Sequence, residues 1–130
     1  MITKIRKWLY KLHYAKIYEK EAWTHQLDIG LIRDQLDADM KVYESSQKAL
    51  EEKTTLVEKL QVDVKAMEGD AYNSTIEEIK TIYEEMKSIR ERNEDFQKKL
   101  LPNARMQMIN KQQQSNHALY KAGAIKKIKY

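Results

Sequence analysis

Apolar residues recur along this chain at alternating spacings of three and four, the repeat of helices that pack side by side. Ile2, Ile5, Leu9 and Leu12 form the first such row, with Trp8 on its flank. Lys4, Lys7 and Lys11 take the opposite face, and Tyr10, Tyr14 and Tyr18 make a second row. This predicts a basic amphipathic helix over 1–23.

A longer repeat predicts a heptad helix over 24–71. One series, counted from Ala22, reads Ile29, Leu36, Tyr43, Leu50, Val57, Val64 and Ala71, all apolar. Its companion series reads His25, Ile32, Asp39, Ser46, Lys53, Leu60 and Met67, apolar near its two ends and polar between. That pattern suits a helix that shares its seam with different partners along its length. Unbroken, it would reach roughly 70 Å. Gly30 lies inside it, where a kink or a close helix approach is expected.

Punctuation follows. Gly69-Asp70 reads as a helix stop, and Asn73-Ser74-Thr75 reads as the next start, with Thr75 and Glu78 at capping-box spacing. A second heptad helix over 74–101 then carries the cleanest seam: Ile79, Ile82, Met86, Ile89, Asn93, Phe96 and Leu100, with Asn93 its single polar member. Pro102 is expected to end it. A weaker helix to about Lys121 would present Met106, Ile109 and Leu119, and Gly123 would end it before the tail Ala124–Tyr130.

Folded back about residues 71–72, the two heptad helices would place Val64 near Ile79, Leu60 near Ile82, Val57 near Met86 and Tyr43 near Leu100. In that register Lys53 faces Ile89 and Ser46 faces Phe96, a poor match. The rival is a parallel dimer through the second heptad helix, with Asn93 meeting its copy. The short linker favours the hairpin. The fold class is therefore all-α: one elongated helical domain over 1–130, a hairpin or coiled coil with an amphipathic N-terminal helix and a basic, polar C-terminal segment over 102–130.

Composition agrees. Three Gly and one Pro in 130 residues leave too few turn residues for a strand-rich fold. A charged fraction of 34% and mean hydropathy of −0.80 fit long helices with solvated faces. Without cysteine there is no disulfide, thiolate site or thiol nucleophile. No apolar run approaches the ~18 residues of a spanning helix, and no secretory segment is evident. An intracellular setting is expected: cytoplasm, the inside of a virion or the mitochondrial matrix.

Charge is uneven. Residues 1–25 carry six basic and two acidic side chains, and residues 102–130 carry six basic and none acidic. The stretches between are acidic, so the chain reads as a mildly acidic rod with two basic ends.

Candidate chemistry is sparse. Glu21, His25 and Asp28 share one helix face at metal-capable spacing, but a solvated face explains them equally. No metalloprotease, phosphate-loop, di-iron or nucleophile-elbow pattern occurs. Neither a catalytic residue, a cofactor, a metal nor a small-molecule substrate is expected. Asn73-Ser74-Thr75 matches the glycosylation acceptor pattern and reads better as a helix cap.

The partner-binding candidates are therefore the two basic ends: Ile5, Trp8, Leu9 and Leu12 in one, Ile125, Lys126, Lys127, Ile128, Lys129 and Tyr130 in the other. Three readings fit residues 1–23: packing on protein, lying on an anionic membrane, or mitochondrial targeting. The sequence points to a non-enzymatic structural or adaptor subunit of a larger assembly, such as a virion or ribonucleoprotein component, with protein partners or self-association. The alternatives are a non-sequence-specific nucleic-acid binder through residues 102–130 and a peripheral membrane protein anchored by residues 1–23.

Overall fold

Low-glycine, heptad-rich sequence has little choice but helix, and the computed structural model, which describes residues 2–128, is 97% helical with no strand among the described residues. Helix α1 runs Ile2–Asp63, through residue 23 without a break. A 3-10 turn at Val64–Ala66 follows, Met67 and Glu68 are extended, and α2 occupies Gly69–Asp95. A π turn at Phe96–Leu100 leads directly into α3, Leu101–Lys126. Two long helical stretches pack together as a hairpin, and the fold is all-α.

Several local expectations are corrected. Gly69 opens α2 instead of closing the helix before it, and its φ of +63° is the one left-handed residue of the turn. Asn73, Ser74 and Thr75 consequently lie inside α2 rather than capping it. Thr75 is buried, and its hydroxyl donates to the Met67 sulfur at 3.2 Å. Gly30 makes no close helix approach, since a Cβ there would meet nothing within 4 Å.

Contacts divide the chain into two units, Asp37–Pro102 and Met1–Leu36 with Asn103–Tyr130. In the unit Asp37–Pro102, Val57, Ile79, Ile82 and Met86 form the core, with Leu50 and Leu60 against it. Ile89, Asn93, Phe96 and Val64 are also buried, and Tyr43 is half-buried. Near the turn the contacts fit the expected register, with Val57 and Met86 in one core and Gln61 Nε2 donating to the Tyr83 hydroxyl at 2.9 Å, and farther from the turn some contacts lie up to one helical turn away from it. Tyr43 stacks on Phe96 with ring centroids 4.8 Å apart, and Lys53 Nζ reaches Glu85 Oε2 at 2.5 Å. Leu100, expected in the seam, is exposed. Polar matching accounts for the Lys53 contact, which finds a carboxylate instead of facing Ile89 alone, while Ser46 lines one groove with both Asn93 and Phe96.

In the unit Met1–Leu36 with Asn103–Tyr130, α1 buries Ala15, Ala22 and Ile29 and half-buries Tyr18, His25, Ile32 and Leu36. From α3 come Ser115, Ala118 and Ala122, with Ala104, Met108, Lys111 and Ile125 half-buried. Small residues on both helices let the backbones come close, and Ser115, at 0% exposure, donates its hydroxyl to the Ala22 carbonyl at 3.1 Å. Gln26 Nε2 donates to Ser115 Oγ and to Gln112 Oε1, both at 3.1 Å. Met106, Ile109 and Leu119, the expected apolar face after Pro102, are exposed.

Pro102 does not end the helix, and the π turn explains why. The three-four repeat that buries Ile89, Asn93 and Phe96 would, continued, bury Asn103, Gln107, Asn110 and Gln114, all of which are exposed. The buried or half-buried set is Ala104, Met108, Lys111 and Ser115, one residue later each time. A π turn holds one residue more than an α turn, and it takes up that residue. The Leu101 N–H accordingly reaches back five residues to the Phe96 carbonyl. Proline lacks an N–H and its ring collides with the carbonyl four residues before it, here Lys98 inside the widened turn.

Two outcomes are expected in thermal melts followed by circular dichroism. Ala118→Leu overfills the small-residue seam and lowers stability by about 1–3 kcal/mol, while Leu119→Ala changes it by under about 0.5 kcal/mol. In a Pro102→Ala background, deleting Lys98 removes the extra residue and is tolerated within about 1 kcal/mol. Deleting exposed Lys87 in that same background turns one side of the seam outward and costs several kcal/mol.

Candidate functional site

The two basic segments that the sequence places at opposite ends belong to one unit. Met1–Leu36 with Asn103–Tyr130 holds thirteen basic and four acidic side chains, a net +9, and Asp37–Pro102 holds eleven and sixteen, a net −5. Cross-helix polar contacts join the basic pair: Lys111 Nζ to Asp28 Oδ2 at 3.2 Å, Lys126 to Glu19, and Lys11 Nζ to the Ile128 carbonyl at 2.8 Å. Lys121 lies over the Tyr18 ring, 5.3 Å from its centroid.

The partner-binding candidates among the described residues divide between exposed and half-buried positions. Ile5, Trp8 and Leu9 are exposed and Leu12 is half-buried. Ile125 is half-buried beside α1, whereas Lys126, Lys127 and Ile128 are exposed; Lys129 and Tyr130 lie outside the described residues. Residues 2–10 are exposed on every side. The sequence reading missed Trp23, Leu27 and Leu31, an i, i+4, i+8 row on the face of α1 turned away from Ala15 and Ala22, with Leu31 68% exposed. Their spacing was legible, but the heptad count used the other face.

The seam residues Ile29, Val57, Val64, Ile79, Ile82, Met86, Ile89, Asn93 and Phe96 are buried, while Leu36, Tyr43, Leu50 and Leu60 are half-buried. Asp39, Val42, Tyr43, Ser46, Asn93 and Phe96 line an open groove of about 340 Å³ in the unit Asp37–Pro102. The Tyr43 hydroxyl accepts from Gln47 Nε2 at 2.9 Å and from Gln97 Nε2. Asn93 is 8% exposed, and its Nδ2 has no hydrogen-bond partner in the protein. On the solvent face a hydrogen bond from Lys98 to Glu94, aided by the opposite charge, holds the Lys98 ammonium above its ordinary pKa.

The face Glu21–His25–Asp28 is divided between different partners: His25 Nε2 lies 3.8 Å from Glu21, and Asp28 pairs with Lys111. Among the described residues no group of three or more His, Asp or Glu side chains converges on a metal-sized site. No helix among them is long and apolar enough to cross a membrane.

The fold thus defines an all-α helical hairpin carrying one strongly basic unit. No protein-family model matches the chain, and no curated protein or solved structure is significantly similar to it.

Asn93→Leu is nearly isosteric and removes an unpaired buried amide. It should raise stability by about 1–3 kcal/mol, read as a higher urea midpoint at unchanged m-value. A lower midpoint would show that Asn93 makes a stabilising contact.

Proposed function

We propose that the chain is a non-enzymatic structural or adaptor subunit of a larger macromolecular assembly, docked on protein partners through its basic unit. One observation carries this reading: in that unit the fully buried residues, Ile29 apart, are small, and many large apolar residues are outside. Ala15, Ala22, Ser115, Ala118 and Ala122 fill the seam, while Trp23, Leu27, Leu31, Met106, Ile109 and Leu119 face solvent. A two-helix pair left alone would lower its free energy with the opposite arrangement. Large apolar residues held outward in rows are anchors for a further helix, as in helix-in-groove recognition and bundle completion.

The net +9 favours a partner with an acidic rim, which steers encounter more than it fixes affinity. The same charge supports a second reading, sequence-independent contact with nucleic-acid phosphates. That reading ranks behind, because three of the six basic residues after Pro102 are engaged within the unit, Lys111 with Asp28, Lys121 with Tyr18 and Lys126 with Glu19.

The test is affinity purification at native level, with nuclease treatment, of the wild type and of a Leu27→Ser, Leu31→Ser variant. The wild type is expected to retain a stoichiometric protein partner. The variant should keep its helix content and lose that partner by about tenfold or more, as for interface anchors. Retention of the same partner by the variant would remove the support for docking through this row, and loss on nuclease treatment would favour the phosphate reading.

A further inference from the structure

Residues 2–14 are a separate chemical surface from the Trp23, Leu27 and Leu31 row. Lys16 and Lys20, both exposed, interrupt the apolar stripe between them. Ile2, Ile5, Leu9 and Leu12 share one arc with Trp8 at its edge, and Ile2 is 73% exposed. Lys4, Lys7 and Lys11 lie across the helix, Arg6 and His13 border the arc, and no acid occurs between residues 1 and 18. Among the described residues nothing packs beside residues 2–10, while Lys11 Nζ reaches the Ile128 carbonyl.

We infer that residues 2–14 lie in the interface of an anionic lipid bilayer, with the Ile2, Ile5, Trp8 and Leu9 arc sunk toward the acyl chains. Three observations select lipid over a partner helix. The charge on the segment is of one sign, which suits a uniformly anionic plane; a helical partner is usually matched by charges of both signs along the flanks. Trp8, at the edge of the arc, is an exposed aromatic with an apolar body and a polar tip, the kind of side chain that settles at headgroup depth. Ile2, Ile5 and Leu9 are turned away from the Ala15 and Ala22 seam, with Trp8 at the seam-side edge of the arc, so the segment can lie flat without opening the pair of helices. Lys16 and Lys20 have the long stems that let an ammonium rise to the phosphates from beside a buried face, and Lys126 and Lys127 are exposed in the same unit. The inference does not depend on the protein-docking reading, which uses a different row of residues.

The experiment is flotation of the full chain with phosphatidylcholine vesicles carrying about 30% phosphatidylglycerol, against pure phosphatidylcholine. Partition should favour the anionic vesicles by about tenfold or more and weaken with salt without vanishing. With Trp23→Phe, Trp8 is the sole tryptophan, and its emission should shift to the blue on binding. Ile5→Ser with Leu9→Ser should abolish both signals while helix content holds, and Leu27→Ser with Leu31→Ser should leave flotation intact. Three results would each overturn the inference. One is no flotation of the wild type. Another is flotation that survives Ile5→Ser with Leu9→Ser. The last is binding without a blue shift that salt removes entirely, which is attraction to phosphate charge alone.

Discussion

One extra residue governs how this chain uses its second long helical stretch. Between Phe96 and Leu100 the backbone makes a π turn, and the three-four repeat resumes one position later. Without it the repeat would bury Asn103, Gln107, Asn110 and Gln114, four amides with no matching partners supplied by a helical neighbour. With it the repeat buries Ser115, Ala118 and Ala122 and half-buries Ala104, Met108 and Lys111. A mid-helix proline would cost about 3 kcal/mol in a regular α turn, and the widened turn that the repeat requires is the place where Pro102 does least harm. The proline and the phase change therefore have one structural answer.

Polar matching sets the other half of the design. Heptad seams look alike after a slip of one turn, so apolar burial alone leaves the register of an antiparallel pair weakly determined. Lys53 helps to break that degeneracy, because burying its ammonium against Ile89 without a carboxylate costs more than the apolar contacts return. The adopted register gives Lys53 the Glu85 carboxylate and lets Tyr43 stack on Phe96. Leu100 is exposed at the edge of the groove that holds Tyr43, and Asn93 Nδ2 has no partner in the protein. Asn93, the π turn and Pro102 fall within ten positions, a concentration of departures from regular helix packing that sequences tolerate where something other than stability is served.

Much of the fold was legible because large apolar residues advertise themselves. Ile79, Ile82, Met86 and Ile89 announced the seam of α2, and the shortage of glycine and proline announced helix. What failed to read was everything carried by small residues or by context. Ala104, Ser115, Ala118 and Ala122 follow the repeat as faithfully as any leucine, but a search for hydrophobic bulk passes over them and selects Met106, Ile109 and Leu119, which face solvent. Gly69 and Asn73-Ser74-Thr75 have the composition of a stop and a start; the left-handed turn at Gly69 advances the start, and Thr75 is drawn into the packed side of α2. Of the candidate surface, Trp8 and Leu9 were visible as an amphipathic row. The union of both basic segments in one unit was not, because it depends on which residues meet across the hairpin.

The small-residue seam has an energetic consequence for docking. Burying Ala and Ser removes far less apolar area from water than burying Val, Ile or Met, at about 25 cal/mol per Å². The unit that holds Ala15, Ala22, Ser115 and Ala118 is therefore held less by its seam than the unit that holds Val57, Ile82 and Met86, and relies more on the Gln26–Ser115–Ala22 hydrogen bonds and on the Lys126–Glu19 and Lys111–Asp28 pairs. Exposed ion pairs of that kind contribute under about 1 kcal/mol each and weaken with salt. Any surface that covers Ile5, Trp8 and Leu9, or Trp23, Leu27 and Leu31, removes apolar area that the seam itself does not bury, and it stabilises the folded pair in proportion to its occupancy. Docking and helical order in this unit are thus linked quantities. The arrangement that buries little apolar area in the seam is the one that leaves Trp23, Leu27 and Leu31 facing solvent.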